Sequence, residues 1–150
     1  MKSIRLCVFG SRRLKDYRFL KQKLDHLLSN LDLNEIEWIS GTCEQTDKFG
    51  ERYANEHNIP IKPFPANWNS IDKPDAVIKS RKDGTRYNAK AGLDRNEQMA
   101  QYVAEFNPLG YAIGFLPDYC ESKGTQDMTE RCKAHGIKLK IVKFNERHGG

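Results

Sequence analysis

The sequence predicts an α/β protein, and three observations lead there. Short apolar runs recur at 4–9, 37–40, 59–65, 111–116 and 137–144, the first two stopped by Gly10 and Gly41. Between most of them lie stretches whose apolar residues step by three and four, the spacing of a helix face. The chain has 150 residues, 38% of them hydrophobic and 30% charged, which suits one core and is small for two.

The first run, IRLCVF, is read as a buried strand ended by Gly10. Tyr17, Leu20, Leu24, Leu27, Leu28 and Leu31 then form one stripe on a helix of about four turns, with Asp16 placed to cap it. EWIS at 37–40 is the second strand, and a helix over 47–57 carries Phe49, Tyr53 and Ala54 before Asn58 ends it. Residues 59–65 make a third strand, which Pro60 and Pro63 render irregular or an edge. From 66 to 90 no period holds; the expectation is a long irregular basic loop at about 69–90, of the kind that is usually functional when real. Residues 92–106 are helical through Met99, Val103 and Phe106, 111–116 is a strand, 125–135 a helix ended by Gly136, and 137–144 the last strand, with 145–150 frayed. Alternation at this spacing predicts a single Rossmann-like doubly wound domain over 1–150, with about five mostly parallel strands and helices on both faces.

Composition excludes several classes. No apolar run approaches the roughly 20 residues of a membrane span, and the first ten residues lack the apolar core of a secretory signal, so a cytoplasmic protein is expected. Cys7, Cys43, Cys120 and Cys132 form no close pair, and His26, His57, His135 and His148 add none; neither metal nor disulfide is predicted. The net charge of +5 is concentrated: Lys79, Arg81, Lys82, Arg86 and Lys90 against Asp83 leave four excess positive charges in residues 79–90. The near-neutral remainder is unlike a uniformly basic nucleic-acid binder.

Folds of this type bind ligands outside the carboxyl ends of their strands. Those places hold Gly10, Ser11 and Arg12; Ser40, Gly41 and Thr42, with Asp47 beyond; Gly92 with Arg95 and Asn96; and Lys123, Gly124 and Thr125, with Asp127 beyond. Glycine permits a tight turn, Ser and Thr offer hydroxyls, arginine grips a phosphate bidentately, and helix N-termini present free N–H groups. Each alone reads equally as a turn or a cap; together they indicate an anion site.

The series GSR at 10–12, SGTCEQTDKFGERYANEHNI at 40–59, FPANW at 64–68, AGLDRNEQMA at 91–100 and KGTQDMTERCKAHGI at 123–137 resembles the YspA/YpsA-related branch of the SLOG superfamily. That superfamily also holds the Lonely Guy phosphoribohydrolases and the DNA-processing protein DprA, and such domains are common among bacteria and their phages. The resemblance implies a nucleotide-binding domain whose ligand loops are 10–12, 41–47, 95–96 and 124–125. Lonely Guy enzymes carry PGGxGTxxE, whose Glu serves N-glycosidic hydrolysis. Here the double glycine is absent, and Met128 stands three residues after Thr125. Asp127 lies one residue early, about 100° around the helix, either a substitute acid or a residue favoured by the helix dipole.

The expected function is therefore binding of a nucleotide or nucleotide-derived ligand, as sensor or sequestering protein, through Gly10, Ser11, Arg12, Gly41, Thr42, Asp47, Arg95, Asn96, Lys123, Gly124 and Thr125. The alternative is a phosphoribohydrolase-like nucleotide N-glycosidase with Asp127 or Asp47 as the acid/base residue; Asp94 and Glu97 fit binding or capping as well. Single-stranded nucleic acid on Arg81, Lys82 and Arg86 is the weakest reading. No cofactor is expected, and a homodimer or larger homo-oligomer suits domains of this kind. Trp68 either stacks on a base or fills the core, and the basic loop is either a lid over phosphates or a solvated surface.

Overall fold

The computed structural model describes residues 2–145. Seven strands and four α-helices follow in the order β1 (Ile4–Gly10), α1 (Tyr17–Leu27), β2 (Ile36–Ser40), α2 (Thr46–Glu56), β3 (Ile61–Pro63), β4 (Ile78–Ser80), β5 (Arg86–Asn88), α3 (Ala91–Ala104), β6 (Gly110–Pro117), α4 (Lys123–Ala134) and β7 (Lys138–Phe144). A five-stranded, all-parallel sheet has the order β3-β2-β1-β6-β7. The chain moves outward from β1 to β3, then crosses back to β6 on the other side of β1. Strand order reverses there, between β1 and β6.

The pleat of β1 divides the core. Leu6 and Val8 point to one layer with Leu20 and Leu24 of α1 and Tyr53 and Ala54 of α2. Cys7 and Phe9 point to the other with Met99, Ala100 and Val103 of α3 and Met128 and Cys132 of α4. This is the α/β Rossmann-like architecture that the alternating pattern predicts. All four cysteines are free thiols, Cys7 and Cys132 buried. Burial pushes the Cys132 thiol up to about 12 and raises Cys7 as well.

The caps follow from local chemistry. Asp16 accepts from the Arg18 N–H at 2.9 Å and opens α1. Helix α2 ends at Asn58 with φ 56°, where the Ile59 N–H reaches the Ala54 carbonyl at 2.8 Å. Helix α4 ends the same way at Gly136, φ 69°, with the Ile137 N–H on the Cys132 carbonyl at 3.0 Å.

Two elements differ from expectation. Helix α1 stops at Leu27, short of Leu28 and Leu31, which still pack against the core from the turn that follows. Within 69–90 lies an antiparallel hairpin, β4 on β5, rather than an irregular loop throughout. Its strands are three residues each, too short for periodicity to register. The signal present was Asp83-Gly84 at the tip, with Gly84 at φ 87°. The frayed terminus expected at 145–150 falls, apart from Asn145, outside the described residues. Among the described residues no helix is long and apolar enough to cross a membrane.

Gly10 sets how closely β1 approaches its neighbours. A Cβ there meets the Phe115 carbonyl oxygen at 2.6 Å and the Thr46 Cγ2 at 2.8 Å. Gly10→Ala is expected to destabilise the domain by about 1–3 kcal/mol, read as a lower urea midpoint with unchanged slope. An unchanged midpoint means that the strand end relaxes freely.

Candidate functional site

A cavity of about 510 Å³ opens at the reversal between β1 and β6, lined from the loops after β1, β2 and β6 and from the first turns of α3 and α4. Its size falls in the roughly 300–1,000 Å³ range of small-molecule sites. Gly10, Ser11, Arg12, Asp47, Arg95, Asn96, Gly124 and Thr125, all singled out from sequence, line it. Gly41, Thr42, Lys123 and Asp127 do not.

The rim beside β1 is held by the backbone. The Ser11 N–H donates to the Phe115 carbonyl at 3.0 Å, and its hydroxyl accepts from the Arg13 N–H at 3.0 Å. Thr46 donates through its hydroxyl to the Ser11 carbonyl at 2.7 Å. This leaves Arg12 and Arg13 as exposed side chains on the cavity rim. Opposite them α4 begins. The Ser122 hydroxyl donates to the Thr125 Oγ1 at 2.7 Å, and no side chain caps the first turn, so its N–H groups remain available to a ligand.

The floor holds a buried charge. Arg95, 8% exposed, donates through Nη1 to the Gly41 carbonyl, through Nε to the Asn96 Oδ1 at 3.0 Å, and through Nη2 to the Cys43 Sγ at 3.4 Å. Gly41 makes room for this group, since a Cβ there falls 2.8 Å from the Asp47 Oδ2 and 2.9 Å from the Arg95 Nη1. The loop then passes through Thr42 at φ 63° and Gln45 at φ 62°, conformations that non-glycine residues adopt at a cost. The Ser40 hydroxyl and the Asp47 carboxylate hold it by accepting from the Thr42 and Cys43 N–H groups, both at 3.1 Å. Burial pushes the Asp47 carboxyl up to about 7, against the Cys43 N–H and the Arg95 charge, which act to lower it.

Asp127 is turned away from the cavity. Its Oδ2 accepts from the Asn96 Nδ2 at 3.0 Å and from the Arg131 Nε at 2.8 Å. Arg131 also reaches Glu97 at 3.1 Å, and Glu97 pairs with His135 at 2.8 Å. Asp94 pairs with Lys90 at 3.6 Å and Lys73 at 3.8 Å. The adjacent Met128 faces the cavity instead and gives it an apolar floor with Phe9 and Met99.

Trp68 is 38% exposed and lines the mouth, so it is not core filling. A Cβ on Gly92 meets its Cη2 at 3.1 Å, so glycine in the first turn of α3 leaves the indole its seat. Cys43, within the 41–47 loop expected from the resemblance, also lines the site, as do Arg13, Leu93, Glu121 and Ser122, which lie outside the expected ligand loops. Arg13 and Ser122 adjoin the motifs at 10–12 and 123–137; nothing in the pattern marks Leu93. No cluster of three or more His, Cys, Asp or Glu placed for a metal occurs among the described residues.

A carboxyl with an ordinary value of 3.8 that is raised to about 7 when folded favours folding most in its protonated form. That contribution is complete below about pH 4 and is lost as pH rises to about 7, by at most about 1.4 kcal/mol per pH unit. Asp47→Asn cannot titrate, so its urea midpoint relative to the parent is expected to rise between pH 4.5 and pH 8. A constant difference means that the folded carboxyl ionises at its ordinary value.

Comparison with known proteins adds a family match over part of the chain. Residues 4–70, from β1 to just past Trp68, match the YspA, cpYpsA-related SLOG family. No curated protein sequence matches the chain. Among solved structures, a phenylacrylic acid decarboxylase from Aquifex aeolicus is similar at 11% identity and a TM-score of 0.37, over 100% of this chain and 86% of that one. Residues 4–70, a little under half of the chain, are thus similar to the YspA-related branch of the SLOG superfamily.

Proposed function

We propose that this protein binds a nucleotide or nucleotide-derived ligand in the cavity between β1 and β6, as a sensor or sequestering protein. One observation carries the reading: two exposed arginines, an uncapped helix N-terminus and a half-exposed tryptophan border the same cavity. Arg12, Arg13 and the α4 N–H groups suit phosphate oxygens, and Trp68 offers a face to a base. The similarity of residues 4–70 to the SLOG family supports the same reading, toward nucleotide-related binding or a glycosidase-like activity. Gly41, Thr42 and Lys123 then serve from behind or beside the site, Gly41 by making room for Arg95 and Asp47. The bound species is a small molecule.

A thermal-shift panel of mono-, di- and cyclic nucleotides tests the reading. A ligand at a hundred times its dissociation constant adds about 2.7 kcal/mol, or roughly 5–10 °C for a domain of this size. The shift is expected to disappear in Arg12→Ala/Arg13→Ala. Gly124→Ala supplies a finer check: its Cβ meets nothing within 4 Å and enters ligand space. It is expected to keep or slightly raise the melting point of the free protein while weakening the ligand at least fivefold. No shift with any nucleotide overturns the proposal.

A second reading, N-glycosidic hydrolysis, has one observation in its favour: Asp47 is a buried carboxyl lining the cavity with its pKa pushed to about 7, where an acid/base group works best. Asp127 is spent on Asn96 and Arg131. On this reading Asp47→Asn abolishes release of free base while retaining affinity; absence of turnover on every bound nucleotide leaves the binding function alone.

A further inference from the structure

The hairpin of β4 and β5 contributes no residue to either core cluster, yet one of its faces continues the cavity wall. Lys79 lies opposite Tyr87 and Ser80 opposite Arg86. The pleat alternates, so Val77, Lys79, Arg81, Tyr87 and Ala89 share one face, and Ile78, Ser80 and Arg86 the other. The first face begins at the cavity: Ala89 lines it, and Trp68, also in the lining, packs edge-on against Tyr87 at 6.4 Å. Arg81 covers the far side of that path, its guanidinium 4.7 Å from the Tyr87 ring centre. Lys90 is neutralised by Asp75 at 2.6 Å and Asp94 at 3.6 Å, whereas no carboxylate forms an ion pair with Lys79 or Arg81 among the described residues. An aromatic pair and two such cations thus share the side of the hairpin that begins at the cavity mouth, with Val77 47% exposed on the same face.

We propose that this face is a second subsite, which takes the next nucleotide of a phosphodiester-linked ligand whose first nucleotide fills the cavity. The second base lies on Tyr87, beyond the Trp68 face that takes the first, and the linking phosphate on Lys79 and Arg81. The inference rests on the nucleotide-binding reading above and names its ligand class. One further aromatic ring with two cations provides for one further nucleotide, so the ligand is a dinucleotide rather than a polymer.

Isothermal titration of the full chain tests it with the four nucleoside 5′-monophosphates, the matching 5′-phosphorylated dinucleotides in ribo and deoxy forms, and 5′-phosphorylated octamers. At least one dinucleotide is expected to bind tenfold or more tightly than its mononucleotide. Lys79→Ala/Arg81→Ala should remove that increment and leave mononucleotide affinity unchanged; Arg86→Ala, on the other face, should leave both unchanged. All these side chains are at the surface, and matched melting points verify the fold. Equal affinity for mono- and dinucleotides overturns the second subsite alone. So does an increment that survives the double variant, or that Arg86→Ala removes equally. A further tenfold gain for the octamer overturns the dinucleotide limit in favour of a strand-binding groove. No binding of any nucleotide overturns both this inference and the function on which it rests.

Discussion

The positive charge of Arg95 organises this end of the molecule. A guanidinium withdrawn from water is costly unless its donors are used, and here they go to a backbone carbonyl, an amide oxygen and a thiol. The loop after β2 is wound around it: Gly41 because nothing larger fits, Thr42 and Gln45 at positive φ because the backbone must turn back so soon. The neighbouring Asn96 reaches the Gly124 carbonyl at 3.4 Å as well as Asp127. Two consecutive residues of α3 therefore tie the loop after β2 to the start of α4.

The same arrangement fixes the cavity's electrostatics. Among the described residues Asp47 is the one buried carboxyl, it lies beside Arg95, and burial pushes it up to about 7. It offsets the arginine only in part, and Arg12 and Arg13 stand on the rim. The field inside consequently favours an anion. Helix phase decides what else faces it: at the start of α4, Met128 points inward, while Asp127 joins Arg131 and Asn96 behind the wall.

Much of this was legible in the residues. The central strands β1, β2 and β6 are mostly apolar runs, as strands buried on both faces must be, while the edge strands β3 and β7 carry exposed lysines. Their order along the chain leads to the parallel sheet. The glycines and hydroxyls at the strand ends led to eight residues that line the cavity. What escaped depends on direction rather than type. Asp127 and Met128 differ by one step on a helix, and only the packing of α4 says which faces the cavity. Gly41 reads as a turn, and its role beside the buried Arg95 and Asp47 side chains needs the distances to them. The hairpin was missed because three-residue strands carry no period. Trp68 sits in a stretch without pattern, and its place depends on the space left by Gly92, distant in sequence.

That hairpin is held to the domain near its base and by the packing of Tyr87 on Trp68. Asn88 anchors it, accepting from the Val77 and Lys90 N–H groups at 3.1 and 3.0 Å and donating to the Ser70 hydroxyl at 3.1 Å. Beyond that clasp, substitutions or changes of length touch neither core layer, because no residue between 65 and 90 belongs to one. The sheet and the buried arginine can thus stay as they are while the border of the cavity is rewritten. Such a segment is a natural graft point, where exchange of a short stretch re-tunes ligand choice without asking the domain to learn a new fold.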